Sequence, residues 1–180
     1  FLLRFLAKKA YSKYQKNKHT AINSQKTIFK TILSRGAGSF VGKKIGVSKN
    51  MSYQEFRNNI PVSDYESLRP YISRISNGEN NVLTSDNPQY FAITSGTTSG
   101  TKYIPLTKEM MRFQTQAVKE LLLLYAYQKN NYKISNIGMM FIQGSPELKY
   151  FNKVPFARLS GISARHIPFF LKRNRYPSMK

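Results

Sequence analysis

An α/β fold is predicted by three features of this 180-residue chain. Apolar residues recur at helical spacing through its first third. Two β-branched and aromatic runs then flank a loop of hydroxyls and glycines. A long helical stretch and an apolar run of strand length follow. Helices, then strand, strand, helix, strand is the order of an α/β piece. The length suffices for one domain with a fair core.

Leu3, Leu6, Ala7, Ala10, Tyr11 and Tyr14 fall at helical spacing with lysines between them, predicting an amphipathic helix over about 2–16. Residues 1–18 are set apart as this basic helix, whose apolar side is expected to pack on a neighbouring domain rather than a membrane. A second helix is expected from about Thr20 to Arg35, burying Ile22, Phe29, Ile32 and Leu33 and stopped by Gly36. "GAGSFVGKK", Gly36 to Lys44, has the look of a phosphate loop but fails both templates. The dinucleotide fingerprint wants glycine where Val41 stands; the Walker loop wants one more residue between Gly38 and Gly42, and a hydroxyl where Lys44 stands. It reads as a flexible helix-to-loop connection.

Ser52 with Glu55, and Ser63 with Glu66, have the spacing of capping boxes. They predict a short helix at "SYQEF" and a longer one ending at Asn77-Gly78, with Pro70 kinking it or marking a later start. Asn77 to Pro88 is then a polar loop. "YFAIT" (Tyr90 to Thr94) and "KYIPL" (Lys102 to Leu106) read as hairpin strands, with Pro105 putting the second at an edge or marking its end. Thr107 caps a helix reaching about Lys129, with Met111, Gln114, Val118, Leu121, Leu122 and Tyr125 along one face. "IGMMFIQG" (Ile137 to Gly144) has buried-strand length.

Charge is uneven along the chain. Residues 1–50 carry 12 basic residues and no acid; residues 51–110 carry 5 basic and 6 acidic; residues 111–180 carry 12 and 2, for a formal net charge of +21. Basic flanks of this kind suit a polyanion, a membrane surface or simply a solvated lysine-rich face. No zinc-finger spacing, RNA-binding aromatic motif or basic zipper accompanies them. With no cysteine, disulfides and thiolate chemistry are excluded and a reducing, cytoplasmic location is expected. No apolar run approaches the roughly 18 residues of a membrane span, and residues 1–18 lack the core and cleavage site of a secretory signal. His19 and His166 form no dyad pattern, Glu147 suits a helix start, and no paired-carboxylate, HExxH or GxSxG pattern occurs. No residue is assigned a catalytic or metal-binding role.

From Thr94 to Thr101 every residue is Ser, Thr or Gly, and Lys102 follows. Gly96 and Gly100 permit close approach and unusual dihedrals. Thr94, Ser95, Thr97, Thr98, Ser99 and Thr101 supply donors, and Lys102 a cation. No acid stands between Asp86 and Glu109. Composition alone leaves a phosphate site and a polar turn about equally open.

The order of residues in "TSGTTSGTK" resembles the phosphate loop of acyl-adenylate-forming enzymes, [ST]-S-G-T-[ST]-G-x-P-K. Thr94 to Thr98 match, and Lys102 holds the ninth place; Ser99 replaces a glycine that moves to Gly100, and Thr101 replaces the proline. Those departures are similar to one branch, the auxin-responsive Gretchen Hagen acyl acid-amido synthetases and their bacterial relatives. Phe56, Pro61, Tyr65, Pro70, Tyr71, Ile72, Gly78 and Leu83 fall in that family's order, as does "KYIPLT". Upstream, Gln25 and Gly42-Lys43 resemble its Q…L…FGK segment, with Val41 in place of the phenylalanine. Downstream, "GSPEL" and "LSGISARHIP" resemble its glycine-rich turn and the segment after it.

The resemblance implies that residues 19–180 are the amino-terminal portion of an adenylating domain. It is helix-rich at the start, then sheet strands and a phosphate-binding loop. It implies ATP and Mg²⁺, a carboxylic acid substrate, and an amine or amino acid acceptor. The acid attacks the α-phosphate to give an acyl-adenylate and pyrophosphate, and the amine then forms the amide. Thr94, Ser95, Gly96, Thr97, Thr98, Ser99, Gly100 and Lys102 would hold the phosphates. The family's adenine and ribose motifs and its mobile carboxy-terminal domain are not among these residues, so the chain reads as a fragment, inactive alone. Two other readings stand beside it: a sister branch making acyl-CoA thioesters, and a basic nucleic-acid or membrane-binding module.

Overall fold

The structure is a computed structural model and describes residues 2–94, 100–133, 138–140, 142–167 and 175–176. Helix α1 (Leu2–His19) is followed by α2 (Ala21–Gly36), α3 (Phe40–Lys44), α4 (Tyr53–Asn59) and α5 (Tyr65–Ser76). Then come strands β1 (Pro88–Thr94) and β2 (Lys102–Thr107), helix α6 (Lys108–Gln128), the short β3 (Met139–Met140), β4 (Lys149–Phe151), β5 (Val154–Arg158), α7 (Leu159–Arg165) and β6 (Arg175–Tyr176).

Four strands form the main sheet in the order β2-β1-β5-β4. β1 pairs antiparallel with β2 and parallel with β5, while β4 and β5 form a second hairpin. β2 is an edge, and that is where Pro105 sits without removing a ladder bond. Alternation along β1 sends Phe91 to one face and Ala92 to the other. Phe91 joins Ile72, Ile75, Val82 and Val154 beneath α5. Ala92 joins Leu106, Met111, Ala157 and Ile162 beneath α6 and α7. A mixed sheet covered on both faces is the result. α1 adds a further layer through a cluster of Ala7, Leu123 and Ala126, so its apolar side packs on α6.

Local signals account for most boundaries. Ser52 and Glu55 make a full capping box, the Glu55 carboxylate accepting from the Ser52 amide at 2.7 Å. That bond, with the Ser52 hydroxyl, lowers the Glu55 pKa. The Thr107 hydroxyl accepts from the Met110 amide and starts α6. At the end of α5, Gly78 (φ 91) closes a Schellman turn, with Gly78 donating to Ile75 and Glu79 to Arg74.

Several expectations are corrected. α5 is capped by Asp64, whose carboxylate accepts from the Ser67 amide at 2.8 Å, and not by Ser63. Pro70 lies inside that helix and does not mark a later start. Ile22 (73% exposed) and Ile32 (56%) are not in the core, since only Leu33 of α2 is buried. On α6, Val118, Leu121 and Tyr125 are exposed, and the buried residues are Met111, Leu123 and Ala126. The 137–144 segment is not a strand of the main sheet. Its described part contributes Met139–Met140, paired with Arg175–Tyr176, and Ile142 is 97% exposed; Ile137 and Phe141 lie outside the described residues. Glu147 begins no helix; its amide donates to the Ser145 hydroxyl in a local turn. Among the described residues, no helix is long and apolar enough to cross a membrane.

Candidate functional site

β1 and β5 run parallel, so their carboxyl ends emerge at one edge of the sheet, the place where open α/β sheets bind ligands. Thr94 ends β1 there, and Arg158 ends β5 one step away, opposite Ile93. The chain returns to the same edge at Lys102, directly opposite Thr94. Thr94 and Lys102 are therefore held by strand pairing on either side of the loop. Of the sequence-predicted residues, Thr94, Gly100 and Lys102 are described. Thr94 is exposed, and Gly100 takes the left-handed φ of 76°. Ser95, Gly96, Thr97, Thr98 and Ser99 lie outside the described residues.

Lys102 is half-buried against the start of α5. Its ammonium lies 5.7 Å from the centroid of the Tyr65 ring. The Tyr65 hydroxyl in turn accepts from the Tyr103 amide at 2.8 Å. On the neighbouring positions, Asp64 and Glu66 both carry lowered pKa values. For Asp64 the main cause is the Ser67 amide, and for Glu66 it is the Arg69 guanidinium; the Lys102 charge adds a smaller part to each. Beneath Lys102, the Tyr103 ring stacks on Phe151 with centroids 4.4 Å apart and meets Phe156 edge-on at 5.3 Å. These rings pack the base of the hairpin against β4 and β5.

The two downstream stretches singled out from the sequence meet in space beside this edge. The Gly144 amide donates to the Ser160 hydroxyl at 3.0 Å, and the Arg165 guanidinium to the Pro146 carbonyl at 3.1 Å. A Cβ on Gly161 would stand 2.1 Å from the Ser145 carbonyl oxygen, so glycine is required for "GSPEL" to pack against α7. His166 ends α7 with its ring edge-on to Tyr90, a packing contact. His19 closes α1.

Residues 36–44 are ordered by bonds of their own and are not a flexible connection. Ser39 caps α3, and the amides of Phe40, Val41 and Gly42 donate to Asn81, Val82 and the Ser39 hydroxyl. A phosphate would find those amides already occupied. At the far end of the β1–β2 hairpin, Arg35 bridges Asp86 and Glu109 and lines a cavity of about 620 Å³ with Gln89, Lys108 and Arg112. Its charges are largely paired among themselves, which makes it a brace between the hairpin and α2.

Tyr65, against Lys102, and Arg158, opposite Ile93, stand at this edge, and pattern reading did not assign them to it. Tyr65 is 37 residues from Lys102 in the chain, and Arg158 ends a strand of five residues. Only the tertiary fold brings either to this edge.

A family model described as "GH3 family N-terminal domain" matches residues 10–180. The "Jasmonoyl--L-amino acid synthetase JAR6" of Nicotiana attenuata is 29% identical over 128 residues, which is 69% of this chain and 22% of that protein. The "Indole-3-acetic acid-amido synthetase GH3.15" of Arabidopsis thaliana is 40% identical over 87 residues, 47% of this chain and 14% of that protein. A solved structure, "AtGH3.15 acyl acid amido synthetase in complex with 2,4-DB", superposes with a TM-score of 0.77 at 24% identity, over 89% of this chain and 28% of that one. That likeness shows the fold. The chain thus spans well under a third of the length of the proteins it matches. On the match over residues 10–180, the chain belongs to the GH3 family.

Proposed function

We propose that this chain supplies the phosphate-binding edge of an ATP-dependent acyl acid-amido synthetase. The observation that carries the reading is the hairpin itself. "TSGTTSGTK" is closed by Thr94 opposite Lys102, at the carboxyl end of parallel strands, in a chain of the GH3 family. Residues 19–180 act as the amino-terminal portion of the adenylating domain, with residues 1–18 packed on it.

In the first half-reaction a substrate carboxylate attacks the α-phosphate of ATP, and pyrophosphate leaves with the bond electrons. Thr97, Thr98 and Ser99 donate hydrogen bonds to the β- and γ-phosphate oxygens. Gly96 and Gly100 let the backbone come close, and Lys102 offsets the charge that builds on the leaving group. Mg²⁺ would accompany the nucleotide and neutralise part of the phosphate charge. The stretch from Thr94 to Lys102 offers hydroxyls, amides and one cation, groups suited to the phosphates rather than to the ion. In the second half-reaction an amine, by analogy with the relatives an amino acid, attacks the acyl carbon and releases AMP.

A membrane or nucleic-acid module is the weaker reading. The apolar side of α1 lies on α6, and Lys13 is paired with Glu120 at 2.7 Å. The deciding experiment is carboxylate-dependent exchange of labelled pyrophosphate into ATP, because adenylation is reversible. The full-length enzyme is expected to exchange with at least one member of a panel of aryl, indolyl and aliphatic acids. A folded enzyme that exchanges with none overturns the proposal.

A further inference from the structure

We propose that Tyr65 is the positioning residue for Lys102, holding its strand through the tyrosine hydroxyl and its ammonium over the tyrosine ring. The inference rests on the phosphate-loop reading above and extends it to a residue of another element.

The argument starts at the sheet edge. β2 has a strand neighbour on one side only, so alternate amides point away from β1 and need another acceptor. The Tyr103 amide, the first after Lys102, finds it in the Tyr65 hydroxyl at 2.8 Å. The strand is thereby fixed within one residue of the lysine. Above the same ring sits the Lys102 ammonium, 5.7 Å from the centroid, within the reach at which a ring face attracts a cation. A lysine side chain otherwise samples many rotamers, and holding it in one arrangement in advance removes that cost from the step in which charge builds on the leaving phosphate.

Tyr65 can serve because it is itself held. It is the first residue of α5, directly after the Asp64 cap. It packs on the core cluster beneath the sheet. Its ring also lies 5.3 Å from the Arg69 guanidinium, which is bidentate on Glu66 at 2.8 Å. One aromatic side chain therefore joins the helix terminus, the edge strand and the loop cation.

The test is a double-mutant cycle in the full-length enzyme, read by pyrophosphate exchange and by ATP KM. Tyr65→Leu is expected to lower kcat roughly tenfold in the parent, and less than about twofold when Lys102 is already alanine, because residues acting as one unit are non-additive. Tyr65→Phe keeps the ring and the packing and is expected to recover most of the loss, leaving roughly a threefold deficit from the missing hydroxyl. In both, kcat moves more than ATP KM. Equal losses from Tyr65→Leu with and without Lys102 overturn the inference, as they assign Tyr65 a separate role; Tyr65→Phe carries the same comparison if the leucine variant does not fold. If Lys102→Ala alone keeps full exchange, it is the phosphate-loop reading that fails.

Discussion

Two stretches of this chain look alike on paper and differ in three dimensions. "GAGSFVGKK" and "TSGTTSGTK" both set glycines and a serine ahead of a lysine at the end. In the first, glycine is demanded by what surrounds it. A Cβ on Gly42 would lie 1.8 Å from the Gly36 carbonyl oxygen, and the neighbouring amides are bonded to the 81–82 segment. In the second, Gly100 has open space around it and is demanded by its backbone angle, a φ of 76°. Their lysines differ in the same way. Both ammonium groups lie over a tyrosine ring, Tyr71 at 5.6 Å and Tyr65 at 5.7 Å, but only Lys44 also donates to the hydroxyl, at 3.0 Å, and only Lys102 stands where the hairpin closes. Glycine content alone does not mark a ligand site; what matters is whether the backbone groups it exposes are still available.

The largest effect that tests this contrast is expected from Gly42→Ala. A methyl pressed into backbone forces α3 to move, costing about 3 kcal/mol of stability, read as a fall in the urea midpoint. Residual folded enzyme should keep its exchange rate. A loss below about 1 kcal/mol would show that α3 slides freely and that packing does not require this glycine.

Lys102→Ala reverses the pattern. Exchange is expected to slow about a hundredfold, as loss of one preorganised group beside a transferring phosphate typically costs ~3 kcal/mol, while the thermal midpoint shifts by only a few degrees. Unchanged exchange would reduce the second stretch to a turn like any other. Lys44→Ala is the smallest effect, within about 0.5 kcal/mol in stability and without change in exchange. A rate loss there would break the comparison from the other side.

Much of the frame was legible because it is set locally. The Ser52–Glu55 box and the Thr107 cap each depend on residues a few positions apart. Where the reading failed, a distant partner had decided. The buried side of α6 is chosen by α1 and the sheet, so Leu123 and Ala126 are covered while Val118 and Leu121 are not. Ser63 lost its cap to Asp64 because "SDYES" offers two overlapping phases, and a carboxylate one step later reaches the Ser67 amide. β4 and β5, three and five residues long, carry too little periodicity to be found without their partners. At the site, the loop and its lysine were readable as a pattern. Tyr65 was legible as a family position but not as the neighbour of Lys102, since that contact crosses between elements.

The parallel pairing of β1 with β5 also orders events in time. The β1–β2 hairpin and α6 are complete by residue 128, yet Phe91, Ala92 and Ile93 find their second strand only at residues 156–158. As the chain is made, the strand that leads into the loop is therefore born with one bare edge. It keeps that edge until about sixty further residues have emerged, at ribosomal rates several seconds later. Long-range closure of this kind is slow by its nature, and the finished sheet appears only when β5 slots in beside it.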